Sequence, residues 1–464
     1  MAEMTPLLDP SDTRPIHFVG IAGAGMSALA ELFTLRGVVV TGCDAHSENA
    51  SDLARRGIVV QQGHAPEHVT GARALVVTSA MPKDHPELER ARALGLPVIR
   101  RAEALGDATH GAMLVGVAGT HGKSTTTVLT TEALVAAGHD PTGYVGARVT
   151  SWNGNLRAGR ADRFVVEADE YDRSFLALSP TVAVVTNLEA DHLDIYANLD
   201  DLRRTFAKYI RPARYIVLCA DDEEASRLPT PASAEVIRYG TTSPDARLRA
   251  TSLRREELGT RFAVEYDGKA LGDVMLRVPG EHNVRNALAA LAVGLALGAT
   301  VNAMAPGIAA FNGVERRFQV LGSARDVMVV DDYAHHPTEV RASVQAARAA
   351  APGRRLVVAF QPHLFSRTRD FAHEFAAALA EADVVCLLDI YGARERPMTG
   401  VTSALVADAM AGLGRTPAWT GARPALAAAL ACMAQAGDLV VTMGAGDVTR
   451  SGPELLSLLR GEQA

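Results

Sequence analysis

Cysteine is scarce in this chain, and what there is does not come in pairs. Cys43, Cys219, Cys386 and Cys432 stand far apart with no CxxC spacing, so neither a disulfide framework nor a zinc site is suggested, and a reducing cytoplasm fits. Aromatic residues are also few, at 5%. Alanine, valine, leucine and glycine take their place, which suits helices packed on buried parallel strands. Positive charge is not in excess. The formal net charge of -7 argues against nucleic acid or an anionic membrane as the main partner, yet leaves room for a small anion held by a local cluster of amides and cations. Long apolar runs are missing too: Ala287–Ala299 falls short of a membrane span. Met1–Pro15 has no basic region followed by an apolar run, so no signal peptide is expected. The expectation is a soluble, cytoplasmic protein.

What is present is a folded chain of several domains. Its 464 residues, 48% hydrophobic and 21% charged, are too many for one ordinary core, and two to four domains are expected. The first segment opens on a strand, Ile16–Val19, passes through Gly20-Ile-Ala-Gly-Ala-Gly-Met-Ser27 and enters a helix over Ala28–Arg36. Strand-like runs at Val38–Thr41, Ile58–Gln61 and Ala74–Thr78, with a helix at Pro86–Leu94, indicate a parallel Rossmann-like sheet. Glycines there let backbone amides approach a diphosphate at a helix N-terminus. The pattern is looser than the dinucleotide fingerprint, since Ala28 stands where a third glycine belongs, and a bare strand-to-helix turn is the alternative. Asp44, ending the second strand, is placed to accept hydrogen bonds from a ribose or a base.

The second segment holds strands at Met113–Ala118, Arg163–Glu167, Thr181–Thr186 and Tyr215–Cys219, and a helix over Thr125–Ala137. Between about Val236 and Val278 the pattern changes to short alternating pieces, which predicts a small antiparallel sheet beside the parallel one. A long Ala/Leu helix opens at Gly280-Glu-His-Asn283-Val-Arg-Asn286. Arg316-Arg-Phe318, after the helix Asn302–Ala310, has the look of a hinge. The third segment, with strands at Val327–Asp331, Leu356–Phe360, Val384–Leu388 and Asp438–Met443, predicts a second Rossmann-like unit. The fold expected is therefore α/β in three domains, at 1–111, 112–321 and 322–464, the central one an ATPase-like sheet with a phosphate loop.

That loop is the strongest signal in the chain. Gly119-Thr120-His121-Gly122-Lys123-Ser124-Thr125 lies between an apolar strand and a helix. Its glycines let amides wrap an anion, Lys123 supplies a positive charge, and the hydroxyl after it can take magnesium. Val117 replaces the first glycine of the general motif. A nucleoside triphosphate also needs a divalent ion, and Glu167, or Asn187 and His192, at the ends of neighbouring strands are candidates to hold it. Asp169, Glu170, Glu189 and Asp194 read as solvated loop acids. In the third segment Asp331-Asp-Tyr-Ala-His-His-Pro-Thr338 and Gln361-Pro-His-Leu-Phe-Ser-Arg367 are polar strand ends that would face a cleft.

Taken in order, these motifs resemble the Mur ligase family of ATP-dependent amide-forming enzymes. They include His17–Ser27, Gly119–Lys123, Ser179–Val185 with Asp191–Asp194, His282-Asn283, Arg316–Phe318, Asp332–Glu339, Gln361–His363 and Arg367–Arg369, and the likeness spans nearly the whole chain. The resemblance implies ATP and Mg2+ as cofactors, and UDP-N-acetylmuramate and L-alanine as substrates, joined through an acyl phosphate in peptidoglycan precursor synthesis. It implies the UDP portion at Gly23, Ala24, Gly25, Met26, Ser27, Asp44 and Ser79. It puts ATP at the phosphate loop with Asn283, Asn286, Arg316 and Asp332, and magnesium at Ser124, Glu167 and His192. L-Alanine would sit at Tyr333, His335, His363 and Arg367. Lys123, Glu167, His192 and His335 would be catalytic, with His335 taking a proton from the amine. The resemblance implies a monomer or weak homodimer, without nucleic acid or membrane partners. Ser124 follows the lysine where the family often has threonine, and Leu364 stands where relatives commonly have arginine. Alternative readings are a family member that attaches a whole tripeptide, a NAD-dependent oxidoreductase built on the first glycine turn, and a nucleotide-gated binding module.

Overall fold

The computed structural model describes residues 7–78, 81–192, 195–256, 258–393 and 395–462, and at 48, 49 and 51 the backbone alone. Ser79 and Asp194 lie outside the described residues.

Runs of Val, Ile, Leu and Ala form the strands that have neighbours on both sides, because a parallel strand covered on both faces needs apolar side chains throughout. β1 (Ile16–Val19), β2 (Val40–Asp44), β3 (Val59–Gln62), β4 (Ala74–Val77) and β5 (Val98–Arg100) make a parallel sheet in the order β3-β2-β1-β4-β5. The strand order reverses between β1 and β4, which opens a crevice beside the Gly20–Ser27 turn. The helix after that turn runs Ala24–Leu35, four residues earlier than the expected Ala28. Ala24, Gly25, Met26 and Ser27 are thus its first turn. Gly25 and Ser27, both weaker helix formers than alanine, hid the true start.

The second sheet has ten strands: β6 (Met113–Ala118), β7 (Pro141–Val149), β8 (Gly154–Arg157), β9 (Arg160–Glu167), β10 (Val182–Val185), β11 (Tyr215–Cys219), β12 (Glu235–Gly240), β13 (Leu248–Glu256), β14 (Gly259–Tyr266) and β15 (Lys269–Leu276). Their order is β15-β14-β13-β12-β11-β10-β6-β9-β7-β8. β6 therefore lies between β9 and β10, parallel to both. The separate antiparallel sheet expected between Val236 and Val278 is a correction: β12 and β13 continue the main sheet in parallel from β11, and β14 and β15 fold on as its edge. Asp267 and Gly268, between β14 and β15, both have positive φ, the conformation a two-residue hairpin turn needs. The β7–β8 pair went unforeseen because Pro141, Gly143 and Gly146 dilute its strand pattern.

β16 (Gln319–Ala324), β17 (Val327–Asp332), β18 (Leu356–Phe360), β19 (Val384–Leu388), β20 (Trp419–Gly421) and β21 (Leu439–Met443) form the third sheet, in the order β16-β17-β21-β18-β19-β20. All its pairings are parallel except the edge strand β16. Packing divides the chain into two compact units. Met1–Ser252, Phe262–Val274 and Arg285–Phe311 form one, which contains the first sheet and most of the second. Leu253–Arg261, Met275–Val284 and Asn312–Ala464 form the other, around the third sheet. Among the described residues, no helix is long and apolar enough to cross a membrane.

Candidate active site

The phosphate loop leaves β6 where β9 and β10 end on either side of it. Gly119 has φ +139°, and a Cβ there would overlap Thr186 Oγ1 at the end of β10. Gly122 has φ +80°, and a Cβ would fall 2.6 Å from Asn286 Oδ1 on the helix Glu281–Ala296. Both positions therefore demand glycine. Asn187 closes the loop from the same side: its Oδ1 accepts from the His121 amide at 2.7 Å, and its Nδ2 donates to the His121 carbonyl at 3.0 Å. Asn187 is thus a clamp on the loop rather than one of the metal candidates. Thr186 Oγ1 donates to the His121 carbonyl at 2.6 Å, and Thr120 Oγ1 accepts from the Glu189 amide at 2.9 Å. The helix begins at Lys123, two residues before the expected Thr125. Lys123, Ser124 and Thr125 thus occupy its first turn, where unsatisfied amides favour an anion.

Lys123 is half-buried among acids. Its Nζ donates to the carbonyls of Gly119 at 2.7 Å and Thr120 at 3.1 Å, and to Glu170 at 2.9 Å. Burial disfavours its charge, but Glu170, Asp169 and Glu167 outweigh that and hold its pKa above the ordinary lysine value. Glu170 also suffers from burial, yet Lys123 and His192 hold its carboxyl below the usual range. Reading Glu170 as a solvated loop acid was wrong: it is 2% exposed. Nothing in the sequence separates it from its neighbours, because the short helical turn Tyr171–Ala177 that packs it inward has no sequence signature. His192, at φ +53°, places Nε2 3.5 Å from Glu170 Oε1. Burial opposes its charge, while the Glu170 hydrogen bond and the Asp191 and Glu170 charges raise its pKa.

Oxygen ligands for a divalent ion come together at the first helical turn. Ser124 Oγ donates to both oxygens of Glu167, at 2.9 and 3.0 Å, and Glu167 Oε2 also accepts from the Gly146 amide at 2.7 Å. A hydroxyl and one carboxylate suit magnesium, which keeps several waters and phosphate oxygens in its shell. His192 is engaged by Glu170 through Nε2, and any approach to the metal would exchange that contact for the ion.

At the first glycine turn Asp44 faces inward. One of its oxygens accepts from the Ala22 amide and the other from the His46 amide, each at 2.9 Å. The carboxylate thus braces the turn. Ser27 Oγ donates to the Ala24 carbonyl at 3.0 Å, and Tyr144 on β7 donates to the Gly25 carbonyl at 2.6 Å. A cleft of about 460 Å³ opens beside this turn, lined by Ala24, Ser27, Arg55, Arg56, Arg148 and Asn155 among others. Arg148 pairs with Asp52 at 2.6 Å, and Arg56 with Glu31 at 2.7 Å. These arginines escaped the sequence reading because two lie in a weakly patterned helical stretch and one on the unforeseen β7.

In the other unit a polar row lines the carboxyl ends of β17 and β18. The rings of Tyr333 and His335 meet edge to face at 5.1 Å, His335 and His363 at 5.7 Å, and His363 stacks near Tyr391 at 6.0 Å. Arg367, buried, reaches His363 Nδ1 at 3.5 Å. His335 Nδ1 lies 3.0 Å from the Tyr333 carbonyl and 3.1 Å from Glu339. A carbonyl can only accept, so Nδ1 carries the proton and Nε2 of the neutral ring keeps its lone pair. Leu364 has φ +70°, which sets it apart within this row. Arg316 stacks on Tyr333 at 4.7 Å and donates to the Gly444 carbonyl at 2.6 Å. Asp332 is buried and accepts from the Ala334 amide and Ser343 Oγ at 2.9 and 2.8 Å, and burial pushes its carboxyl up to about 6. Both side chains expected to reach ATP are thus engaged by their own sheet. Asn283 donates to the Pro279 carbonyl at 2.7 Å.

Three family models match the chain in this order: "Mur ligase family, catalytic domain" at residues 15–112, "Mur ligase middle domain" at 117–294, and "Mur ligase, glutamate ligase domain" at 316–446. The chain belongs to the Mur ligase family. The UDP-N-acetylmuramate–L-alanine ligase of Salinibacter ruber is 41% identical over 468 aligned residues, covering 100% of this chain and 98% of that one. The crystal structure of the UDP-N-acetylmuramate–alanine ligase of Thermotoga maritima superposes with a TM-score of 0.83 at 29% identity, covering 96% of this chain and 99% of that one. That of a murein peptide ligase from Psychrobacter arcticus superposes at 0.70 with 24% identity, over 97% of this chain and 99% of that one, and shows the fold alone. The three-domain α/β architecture is that of these Mur ligases.

Proposed function

We propose that this Mur ligase joins the amine of L-alanine to the carboxylate of UDP-N-acetylmuramate at the expense of ATP. The observation that carries the reading is Lys123, half-buried at the start of a helix, inside an anion-binding loop and beside the Ser124–Glu167 oxygen pair. We also assign the domain limits to 111/112 and 321/322.

The chemistry divides into two jobs. In the first, the substrate carboxylate attacks the γ-phosphorus of ATP, giving an acyl phosphate and ADP. Loop amides and Lys123 hold the transferred group while charge builds on its oxygens, the main source of catalysis for this reaction class. Lys123 exchanges its loop-carbonyl contacts for phosphate oxygens, and Glu170 keeps it charged and aimed. Magnesium, held by Ser124 and Glu167, supplies further neutralisation of phosphate charge when bound. In the second job, the alanine amine attacks the acyl carbon and phosphate leaves. An ammonium has no lone pair, so His335 Nε2 takes its proton first. Arg367 supplies a planar fork for the alanine carboxylate. The nucleotide-sugar diphosphate fits the cleft at Ala24–Ser27, where Arg148 would trade Asp52 for a phosphate.

The test is phosphate release with UDP-N-acetylmuramate and ATP, offered L-alanine, glycine, L-serine or the L-alanyl-γ-D-glutamyl-meso-diaminopimelate tripeptide. L-Alanine should give the highest kcat/KM. Glycine and L-serine should trail by roughly 10- to 200-fold, the discrimination a small pocket supplies. Release with the tripeptide alone would overturn the assignment.

A further inference from the structure

The first sheet carries a second polar cluster at its carboxyl edge that the ligase chemistry does not use. It gathers His17 from β1, Cys43 from β2, His64 and His68 from the segment after β3, and His85 and Glu87 at the start of the helix Pro86–Ala93. Ligand atoms of His17, Cys43, His68 and Glu87 all lie within 4.8 Å of one another, as do those of His64, His85 and Glu87.

Glu87 is the hub. It is wholly buried, and its Oε1 lies 3.1 Å from Cys43 Sγ, 3.1 Å from the Ala65 amide and 2.8 Å from His68 Nδ1. Among the described residues its ion-pair partners are all histidines, His68, His64 and His85, with no lysine or arginine to neutralise it. His17 is also wholly buried. Its Nδ1 is engaged by Thr41 Oγ1 at 2.9 Å, while Nε2 has no hydrogen-bond partner. A buried imidazole nitrogen without a protein partner is costly, and such groups call for a ligand or an ion.

We propose that this cluster binds a divalent transition metal of the zinc class, ligated by His17, Cys43, His68 and Glu87. One sulfur, two nitrogens and one oxygen make a four-coordinate zinc donor set, and they exclude magnesium and calcium, which take oxygen. The charges also close: a thiolate and a carboxylate neutralise one divalent cation, and among the described residues no lysine or arginine pairs with Glu87. As the metal–sulfur bond forms, the Cys43 S–H bond breaks and its proton passes to the buffer. Thr41 is a positioning residue that fixes His17 by accepting its Nδ1 proton and so presents Nε2. His64, the most exposed of the six, marks the entry. The ligands come from two strands, a helical turn and a helix, so no CxxC-like spacing announced them. The Cys43 carbonyl accepts the Gly20 and Ile21 amides at 2.9 and 3.1 Å, which ties the cluster to the glycine turn.

The experiment uses the full chain, dialysed against a chelator and titrated with Co2+ in the absence of ATP and magnesium. A single equivalent should bind, with a near-ultraviolet thiolate-to-cobalt charge-transfer band, the strong visible bands of four-coordinate cobalt, and proton release to a weak buffer. Zinc should displace it. Cys43→Ser should remove the charge-transfer band. Thr41→Val should keep the band and weaken zinc binding by about 10-fold or more. A wild-type chain that shows no charge-transfer band at saturating cobalt overturns the proposal, whether or not the variants fold. A band that survives in Cys43→Ser overturns it too, since the metal would then sit on another thiol.

Discussion

The chain makes the same local structure twice, a parallel strand running through glycines into a helix, and the two copies are equipped differently. At Gly119–Thr125 the cation is part of the turn: Lys123 is the first residue of the helix and is held by Glu170. At Gly20–Ser27 the helix opens on Ala24 with no basic residue in the turn, and the nearby positive charges are Arg101, against Gly25, and Arg55, Arg56 and Arg148, all from outside the turn. The Gly119–Thr125 turn is also sterically sealed, since Thr186 and Asn286 leave no room for a Cβ at Gly119 or Gly122, whereas at Gly23 a Cβ would make ordinary contacts with the Gly20 carbonyl at 3.5 Å and Met26 Cγ at 3.9 Å. A turn that must stabilise a moving phosphoryl group carries its charge rigidly. A turn that only holds a diphosphate can borrow its charge from the surroundings.

The largest effect should come from removing the built-in cation. Lys123→Ala is expected to lower kcat by roughly 10³-fold. It should also cost about 3–5 kcal/mol of stability, because Glu170 is left buried without its partner. Adding Glu170→Gln should recover much of the stability and none of the turnover, which chemical denaturation and phosphate release would separate. Turnover within tenfold of wild type would end the distinction between the two turns. Next comes the proton acceptor outside both turns. His335→Gln should lower kcat/KM for L-alanine by about 10²-fold, and the deficit should shrink at alkaline pH as free amine accumulates. A pH-independent deficit would assign His335 to positioning alone.

The glycines then test the seal directly. Gly119→Ala should cost about 1–3 kcal/mol through its backbone conformation alone, plus displacement of Thr186. Gly23→Ala should leave the melting temperature nearly unchanged and raise KM for the nucleotide sugar. Equal destabilisation at the two sites would contradict the contrast. The smallest effect is that of the borrowed charge. Arg148→Ala should raise KM for UDP-N-acetylmuramate by about 10-fold with kcat little changed, because uniform binding is lost rather than transition-state stabilisation.

Much of the fold was legible because buried parallel strands write themselves as apolar runs, and β6, β11, β18 and β19 were read to the residue. Edge strands carry a weaker pattern, so β8, β16 and β20 were missed, and β7, next to the edge, was missed because glycine and proline interrupt it. At the phosphate loop, glycine spacing and the lysine disclosed the turn because each answers a steric or electrostatic demand local to it. Glu170, Arg148 and Asn187 were not legible in role, since whether an acid is solvated or buried, or an amide clamps or ligates, depends on chain brought in from elsewhere. Asp44, Asp332 and Arg316 teach the converse. Asp44 and Asp332 were foreseen at strand ends and Arg316 in a hinge, and each engages neighbouring backbone or side chains.

The central claim is that the loop around Lys123 uses ATP to activate a carboxylate. Its most direct test is to supply UDP-N-acetylmuramate labelled with heavy oxygen in the carboxylate, together with ATP and L-alanine, and to follow the label by mass spectrometry. The account predicts one labelled oxygen in each phosphate released, because that oxygen bridges carbon and phosphorus in the acyl phosphate and leaves with the phosphorus. Released phosphate without label, at the same rate of amide formation, would contradict it.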